Sequence, residues 1–288
     1  MAAPQFDVRG KVALITGGAR GIGFGTAKAL ARRGATVVIV DLDQGACNEA
    51  AAELGGDAIG LAADVTDLGA MQRVVATAVE RFGGLDLVMA NAGIASKAAT
   101  FRAMNRESFD RVFEVNANGV IRTVEAALPE IIRRCGHVVV VASVYAFVNG
   151  VGAVPYAMSK AAVEQLGRAL RVELAQHGAS ATTCYFGFID TTMVHKGIDE
   201  DPLSDRLMGQ LPGPLAKRLT PDQAGEAVAQ GIEKRAARVI VPPVWRVLFV
   251  LRGILGPLMD RYMERSGDTQ SLARDMDARA GEEQPTTL

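Results

Sequence analysis

The residues best suited to chemistry in this sequence are a serine, a tyrosine and a lysine within eighteen positions. Ser143 follows the apolar run 138–141, which predicts that it lies just after a buried strand. Tyr156 and Lys160 are four residues apart, and on a helix residues i and i+4 share one face. A neighbouring ammonium lowers the pKa of a phenol from about 10, because it stabilises the phenolate. The spacing therefore predicts that Tyr156 can donate and accept a proton near neutral pH.

A glycine-rich turn near the start of the chain predicts a binding site for a pyrophosphate. The turn, Thr16–Gly23, reads T-G-G-A-R-G-I-G and lies between the apolar run 11–16 and a helical pattern. Gly17, Gly21 and Gly23 permit a tight turn and a close approach of the ligand to the N-terminus of a helix. Such a turn is informative only between a strand and a helix, and this sequence provides that context.

Asp41 indicates which nucleotide the turn would bind. It ends the apolar run 35–40, where a carboxylate can bind the ribose hydroxyls of NAD and repel the 2′-phosphate of NADP. Arg20 in the glycine turn favours the opposite, because a guanidinium can pair with that phosphate. We expect NAD rather than NADP, since a carboxylate at the end of a strand is held more firmly than an arginine in a loop.

The rest of the chain alternates between predicted strands and helices. Strands are expected at 11–16, 35–40, 58–62, 85–89, 137–142, 180–185 and 238–241. Helices are expected at 21–33, 44–54, 67–82, 106–134, 156–177 and 221–235, with a break or kink at Pro129. This alternation predicts an α/β domain over residues 1–241, a doubly wound Rossmann-type parallel sheet of about seven strands with helices on both faces.

With these motifs in this order, the chain resembles the short-chain dehydrogenase/reductase superfamily, in its single-domain oxidoreductase form, over about residues 8–241. The resemblance implies a catalytic tetrad of Asn116, Ser143, Tyr156 and Lys160. It also implies a set of cofactor-binding residues in the glycine turn and after the later strands: Gly17, Arg20, Gly21, Ile22, Gly23, Asp41, Asp64, Val65, Asn91, Ala92, Gly93, Tyr156, Lys160, Ile189 and Thr191. Asp64 and Val65 would hold the adenine ring, and Ile189 and Thr191 the nicotinamide carboxamide.

The activity that the resemblance implies is hydride transfer between a nicotinamide cofactor and a secondary alcohol or ketone. Tyr156 would exchange a proton with the substrate oxygen, Lys160 would lower its pKa and bind the ribose, and Ser143 would orient the substrate. Asn116 would hold a water that relays protons. The alternatives are a 3-oxoacyl-type reductase that uses NADP and a catalytically silent nucleotide sensor. An epimerase or dehydratase is not favoured, because those relatives carry a shorter glycine turn and a separate substrate domain.

Two regions depart from the family pattern or vary within it. Phe186-Gly187 stands where the family usually has Pro-Gly, which changes the loop expected beside the nicotinamide. The segment 192–219 corresponds to the substrate lid, and its apolar side chains favour an apolar substrate, such as a steroid, a lipid-derived ketone or a terpenoid. The same side chains would also suit a lid that packs on its own protein.

Residues 242–288 extend beyond the last predicted strand. Apolar residues at i, i+3, i+4 and i+7 predict an amphipathic helix over 244–264. We expect it to dock on the protein or on a dimer partner, with peripheral membrane contact or a lid as the alternatives. From Ser266 onwards the sequence is polar and charged, and we expect a loosely ordered tail.

Composition excludes several other classes of function. The 288 residues carry 31 basic and 32 acidic side chains, and this balance argues against a nucleic-acid partner. Three cysteines and three histidines are scattered without ligand spacing, so no metal site is expected. No apolar segment resembles a signal peptide or a membrane-spanning helix. We therefore expect a cytoplasmic protein, and the resemblance implies a homodimer or homotetramer.

Overall fold

The computed structural model describes residues 5–209 and 213–280, and these form a single parallel sheet between two layers of helices. The seven strands are β1 Val12–Thr16, β2 Thr36–Asp41, β3 Ile59–Ala62, β4 Leu87–Ala90, β5 His137–Val141, β6 Ser180–Phe186 and β7 Arg238–Val241. Their order across the sheet is β3-β2-β1-β4-β5-β6-β7, and every neighbouring pair is parallel. The doubly wound α/β fold predicted from the sequence is confirmed.

Helices connect the strands and extend beyond the last one. Within the described residues they are α1 Gly21–Ala31, α2 Gln44–Leu54, α3 Leu68–Phe82, α4 Arg106–Phe113, α5 Gly119–Arg133, α6 Val154–Glu173, α7 Thr192–Val194, α8 Ser204–Gly209, α9 Gly213–Ala216, α10 Pro221–Glu233, α11 Trp245–Arg265 and α12 Gly267–Asp277. Positions 210–212 of the predicted lid and 281–288 of the predicted tail lie outside the described residues.

The sheet is buried on both faces, which explains why its strands read as continuous apolar runs. Successive side chains of a strand point to opposite faces. Leu14 and Val38 therefore belong to the apolar layer that contains residues of α3, α5 and α6. Ile15 and Ile39 belong to the layer that contains residues of α1 and α10. The two layers leave the carboxyl ends of the strands as the edge at which side chains can meet a ligand.

The helical region after β4 is interrupted at a different place from the one predicted. The sequence predicted one helix over 106–134 with a break or kink at Pro129, but α5 continues through Pro129. The interruption is a π-helical turn at Glu114–Asn118, between α4 and α5. Such turns are uncommon and frequently lie at functional sites. Asn116, a predicted catalytic residue, lies within this turn.

The predicted helix after residue 242 is α11, and its inner face belongs to the main apolar core. Trp245 and Phe249 are 1% and 8% exposed. The Phe249 ring lies 5.1 Å from the ring of Tyr185 and 5.3 Å from that of Phe147, measured between centroids. The guanidinium of Arg252 binds Glu164 of α6 at 2.7 Å. The extension is thus fastened to the helix that carries Tyr156 and Lys160.

The outer face of α11 is also apolar. An exposed stripe runs along it, which we call the outer stripe and define as Val247, Val250, Leu251, Ile254, Leu258 and Tyr262. Exposed apolar residues that lie side by side often mark a surface that contacts another molecule. Every helix among the described residues is too short or too polar to cross a membrane.

The expectation of a loosely ordered tail after Ser266 is wrong for the residues that form α12. Ser266 caps this helix, accepting a hydrogen bond on its hydroxyl from the Thr269 amide at 3.3 Å. Leu272 and Met276 share one face, and both are buried. Two apolar residues four apart are too weak a pattern to predict a helix, and tertiary contacts stabilise this one.

Candidate active site

The candidate site lies where the order of the strands reverses, between the adjacent strands β1 and β4. Asn91, directly after β4, holds the two strand ends together. Its side-chain amide donates to the carbonyl oxygens of Thr16 at 2.9 Å and Gly17 at 3.0 Å, and its backbone amide donates to the Thr16 hydroxyl at 3.1 Å. The crevice next to these bonds is of the kind in which parallel α/β sheets bind ligands.

The glycines of the turn after β1 are required by the backbone. Gly17 and Gly21 have φ values of +60° and +56°, a region that side-chain-bearing residues adopt at a cost. A Cβ at Gly23 would lie 2.2 Å from the Gly17 carbonyl oxygen. The turn leads directly into α1, whose N-terminal amides face the crevice edge where a pyrophosphate would bind. These residues fit a dinucleotide.

Asp41 and Arg20 both line the cavity at this edge, as the NAD-versus-NADP argument requires. The Asp41 carboxylate accepts hydrogen bonds from the backbone amides of Ala19 at 3.3 Å and Leu42 at 2.9 Å. The Arg20 side chain is exposed and makes no cap hydrogen bond for α1. The carboxylate is therefore fixed in position, whereas the arginine is held only by its backbone.

The structure brings most of the predicted cofactor residues to one cavity. Among these residues only Gly23, which packs beneath the turn, does not line it; the others do: Gly17, Arg20, Gly21, Ile22, Asp41, Asp64, Val65, Asn91, Ala92, Gly93, Tyr156, Lys160, Ile189 and Thr191. Other lining residues were not predicted, including Leu42, Ile94 and Arg111. Leu42 and Ile94 directly follow predicted residues, so extending each motif by one position would have found them. Arg111 carries no signal in the sequence.

Ser143 and Tyr156 meet at the base of the site. The Ser143 hydroxyl donates to the Phe186 carbonyl oxygen at 3.3 Å and accepts from the Tyr145 amide at 3.3 Å. It lies close enough to the Tyr156 hydroxyl to lower the pKa of that phenol. The Tyr145 ring packs edge-on against the Tyr156 ring, with centroids 5.8 Å apart. Tyr156 lines the cavity, and Ser143, which is 5% exposed, lies behind the cavity wall.

Lys160 lies one turn after Tyr156 on α6 and is almost completely buried. Its ammonium donates to the Val141 carbonyl oxygen at 3.0 Å and lies 5.6 Å from the centroid of the Tyr156 ring. Burial lowers the pKa of Lys160 to about 8. Burying an ammonium that hydrogen-bonds a carbonyl oxygen rather than a carboxylate lowers the stability of the folded state.

The pKa of Tyr156 differs from the sequence-based expectation. We expected Lys160 to lower it, but burial raises it to about 12, against a smaller lowering by the nearby Ser143 hydroxyl. The reason is geometric, because the ammonium lies over the ring and binds Val141. Tyr156 is thus protonated at neutral pH, which is the form required of a proton donor.

The side chain of Asn116 is fully engaged by the protein. Its oxygen accepts from the Ile94 amide at 2.7 Å, and its nitrogen donates to the Ile94 carbonyl at 2.9 Å and to the Ser159 hydroxyl at 3.3 Å. Asn116 therefore joins the π-helical turn, the loop after β4 and α6. Its expected role in a water relay remains a prediction.

The start of the predicted lid touches the glycine turn. A Cβ at Gly21 would lie 3.3 Å from the Thr191 methyl carbon, so the two segments are in contact. Ile189 forms a parallel bridge with Leu219 at the other end of the lid. Phe186, which replaces the usual proline, is buried in the apolar layer beside α1 and α10 and lines the cavity. Within residues 5–209 and 213–280 no cluster of acidic, histidine or cysteine side chains could hold a metal ion.

Comparisons with known proteins agree with this geometry. The family model described as short chain dehydrogenase matches residues 11–202. The chain is 35% identical over 229 residues to the oxidoreductase UcpA of Salmonella typhimurium, covering 76% of this chain and 86% of that protein. The chain belongs to the short-chain dehydrogenase family. It is therefore an oxidoreductase of a family that binds NAD or NADP, on a Rossmann fold.

Two further matches bear on what this dehydrogenase is similar to. It is 33% identical over 213 residues to the 2,5-dichloro-2,5-cyclohexadiene-1,4-diol dehydrogenase LinX of Sphingobium indicum, covering 72% of this chain and 85% of that protein. Among solved structures, the 3-ketoacyl-(acyl-carrier-protein) reductase of Brucella melitensis complexed with NADH superposes with a TM-score of 0.74. That match has 29% identity and covers 81% of this chain and 97% of the other.

Because the ammonium of Lys160 is buried, we expect it to lower the free energy of unfolding of this dehydrogenase. Replacing it in Lys160→Met removes the desolvated charge, so the variant should be more stable by roughly 3 kcal/mol at pH 7. Urea unfolding would measure this, with exposed Lys196→Met as the matched control.

The pH dependence has a definite sign. Between pH of about 8 and 10.5, the ordinary pKa of a lysine, the unfolded chain binds a proton at Lys160 that the folded protein does not. Wild-type stability therefore rises with pH across this window relative to the variant, and the difference should shrink. If the stability difference between wild type and Lys160→Met stays constant from pH 7 to 10.5, the lowered pKa of Lys160 is contradicted.

Proposed function

We propose that this dehydrogenase interconverts an apolar secondary alcohol and its ketone with NAD, using Tyr156 as the proton donor and acceptor. The observation that carries the proposal is that Tyr156 and Lys160, one turn apart on α6, line one end of the cavity. The glycine turn and Asp41 lie at the other end. A bound nicotinamide nucleotide would supply or accept the hydride.

The chain's own residues divide the remaining work. In the direction of reduction, protonated Tyr156 donates its proton to the substrate oxygen as negative charge develops there. The Ser143 hydroxyl orients that oxygen, and the Phe186 carbonyl and Tyr145 amide fix the hydroxyl in turn. The Lys160 ammonium lies over the Tyr156 ring and donates to the Val141 carbonyl, and it would bind the nucleotide ribose. Asn116 holds Ile94 and Ser159 in place.

An apolar substrate is favoured by the side chains and by one relative. Met193 and Val194 of the lid line the same cavity as Tyr156. LinX, by its name, acts on a chlorinated cyclic diol, whose two hydroxyls are secondary alcohols on a carbocyclic ring. The second candidate is a 3-oxoacyl-type reductase that uses NADP. It is supported by the ketoacyl reductase among the structural matches and by Arg20 at the cavity edge.

Replacing the tyrosine tests the chemistry. Tyr156→Phe keeps the ring and its contact with Tyr145 but removes the exchangeable proton, so turnover should fall by at least about a hundredfold. Nicotinamide absorbance across a panel of cyclic secondary alcohols and ketones measures turnover, and fluorescence titration measures nucleotide binding, which should persist. The matched control is Tyr262→Phe on the exposed face of α11. Substantial activity in Tyr156→Phe would refute the assigned role.

Replacing the strand-end carboxylate tests the cofactor preference. Asp41→Asn removes the charge that repels a 2′-phosphate while keeping the side chain's size. The KM for NAD should rise about tenfold and the KM for NADP should fall, because one charge-assisted hydrogen bond is lost and one repulsion is relieved. Asp57→Asn, in the exposed turn before β3, is the control. If wild type already prefers NADP, or if Asp41→Asn leaves the preference unchanged, the proposal of NAD fails.

We further propose that the outer stripe of α11 rests on the surface of an anionic membrane. No acidic residue occurs between Arg238 and Met259, and Arg246 is exposed in this part of the helix. Further along, the exposed Arg261 and Arg265 stand beside the exposed Asp260 and Glu264. Apolar residues beside arginines are the composition of helices that lie in the interface of anionic bilayers. Homodimer or homotetramer formation stays a prediction.

Vesicle sedimentation tests this contact. Wild type should sediment with vesicles of phosphatidylglycerol and phosphatidylcholine, and Ile254→Asp should not. Val172→Asp, which places the same charge on an exposed apolar position of α6, should still sediment. If wild type instead remains in solution and Ile254→Asp converts a dimer to a monomer in sedimentation velocity, the stripe is a contact between copies of the chain.

A further inference from the structure

The final helix, α12, packs on three separate loops on one side of the candidate site. These are the loop after β4 at 95–105, the loop between Ser143 and Tyr156, and residues 192–209 of the lid. The second loop is bounded at each end by a proposed catalytic residue. The lid follows directly after Thr191, which lines the cavity. A helix that contacts all three loops can set their positions relative to Tyr156.

A buried arginine makes the strongest of these contacts. The Arg279 guanidinium, which directly follows α12, binds both carboxylate oxygens of Asp201 in the lid, at 2.6 and 2.7 Å. It also donates to the Ala98 carbonyl oxygen in the loop after β4 at 3.1 Å. The side chains of Asp201 and Arg279 are only 4% and 15% exposed. Removing one partner of such a pair leaves the other charge buried without compensation.

The other contacts of α12 reinforce this one. A Cβ at Gly152 would lie 2.8 Å from the sulfur of Met276, so Met276 packs directly on the loop between Ser143 and Tyr156. Asp277 accepts hydrogen bonds from Thr100 and, at 3.0 Å, from Arg102, both in the loop after β4. The lid adds Arg206, which binds Asp275 and the Ser271 hydroxyl.

The loops are also joined to each other beneath the helix. The Ala99 amide donates to the Gly152 carbonyl oxygen at 3.1 Å, which links the loop after β4 to the loop before Tyr156. The Leu203 amide donates to Asp201 at 2.9 Å, which shapes the lid around the arginine. An outward movement of any one loop therefore breaks contacts with α12 or with another loop.

We propose that α12 and Arg279 clamp these three loops closed, so that Arg279 and Met276 are positioning residues for the substrate side of the site. The proposal rests on the proposed function, because it assigns the substrate to the space that these loops border. The clamp holds the lid and the loop before Tyr156 in one arrangement. Substrate affinity should therefore depend on Arg279, whereas nucleotide affinity, set at the glycine turn and Asp41, should not.

Kinetics of Arg279→Gln test the positioning role. The KM for the alcohol or ketone should rise on the order of ten- to a hundredfold, because small displacements of substrate-positioning groups have effects of this size. The Kd for NAD should stay within about twofold. Arg279→Lys keeps the charge and should recover part of the loss. Arg274→Gln, on the exposed face of the same helix, is the matched control and should behave as wild type.

Hydrogen exchange tests the clamp without any substrate. In Arg279→Gln the amides of residues 97–103 and 199–204 should exchange at least about tenfold faster, while β1 and β4 stay as protected as in wild type. If Arg279→Gln does not fold, the double variant Thr100→Val, Arg102→Gln loosens only the outer contact with Asp277. It should accelerate exchange at 97–103.

Two results of the exchange experiment would contradict the proposal. Unchanged exchange at 97–103 and 199–204 overturns the clamp, and faster exchange throughout the protein reduces Arg279 to a general stabilising role. Faster loop exchange with an unchanged substrate KM overturns the positioning role. If wild type turns over no alcohol or ketone, the proposed function fails, and the exchange measurement still decides whether α12 holds the loops.

Discussion

The site depends on the hydrogen bonds by which Asn91 joins the ends of β1 and β4. Strand order reverses between these two strands, so the connections after them leave in opposite directions and open a crevice. A single amide binds Thr16 and Gly17 across that crevice, at 2.9 and 3.0 Å. The glycine turn, the loop after β4 and the π-helical turn that holds Ile94 are all positioned from this junction. The geometry of the nucleotide site thus follows from the topology of the sheet and one side chain.

The proposed catalytic groups, by contrast, lower the stability of the folded protein. Tyr156 is half-buried and Lys160 is buried, and desolvation moves both pKa values towards the uncharged form. Apolar packing of α6 on β5 and α11 supplies the stability that permits this. The Glu164–Arg252 ion pair at 2.7 Å is part of that support, because it fastens α11 one turn beyond Lys160. Burial of these groups is the condition for strong electrostatic effects on a substrate.

The sequence predicted the features that neighbouring residues determine. It did not predict those that depend on contacts between residues far apart in the chain. Strands such as Val12–Thr16 and motifs such as Thr16–Gly23 were found because burial and tight turns restrict neighbouring residues. The π-helical turn at Asn116 was missed, because its cause is the contact with Ile94, 22 residues away. The lowering expected for the pKa of Tyr156 was wrong, since spacing alone cannot show that the Lys160 ammonium lies over the ring. Helix α12 was missed because Arg279 meets Asp201 across 78 positions.

The C-terminal extension also changes what the lid can be. A lid that closes by itself needs enough apolar area to pack on its own protein, and the segment 192–219 forms only short helices in its described part. Arg279 supplies the missing contact from outside the segment. Ser266 links this clamp to α11: its amide donates to the Tyr262 carbonyl at 2.9 Å, and its hydroxyl caps α12. A molecule bound at the outer stripe would therefore contact the helix that leads directly into α12. Ser266 thus lies between the helix that carries the outer stripe and the helix that leads to Arg279.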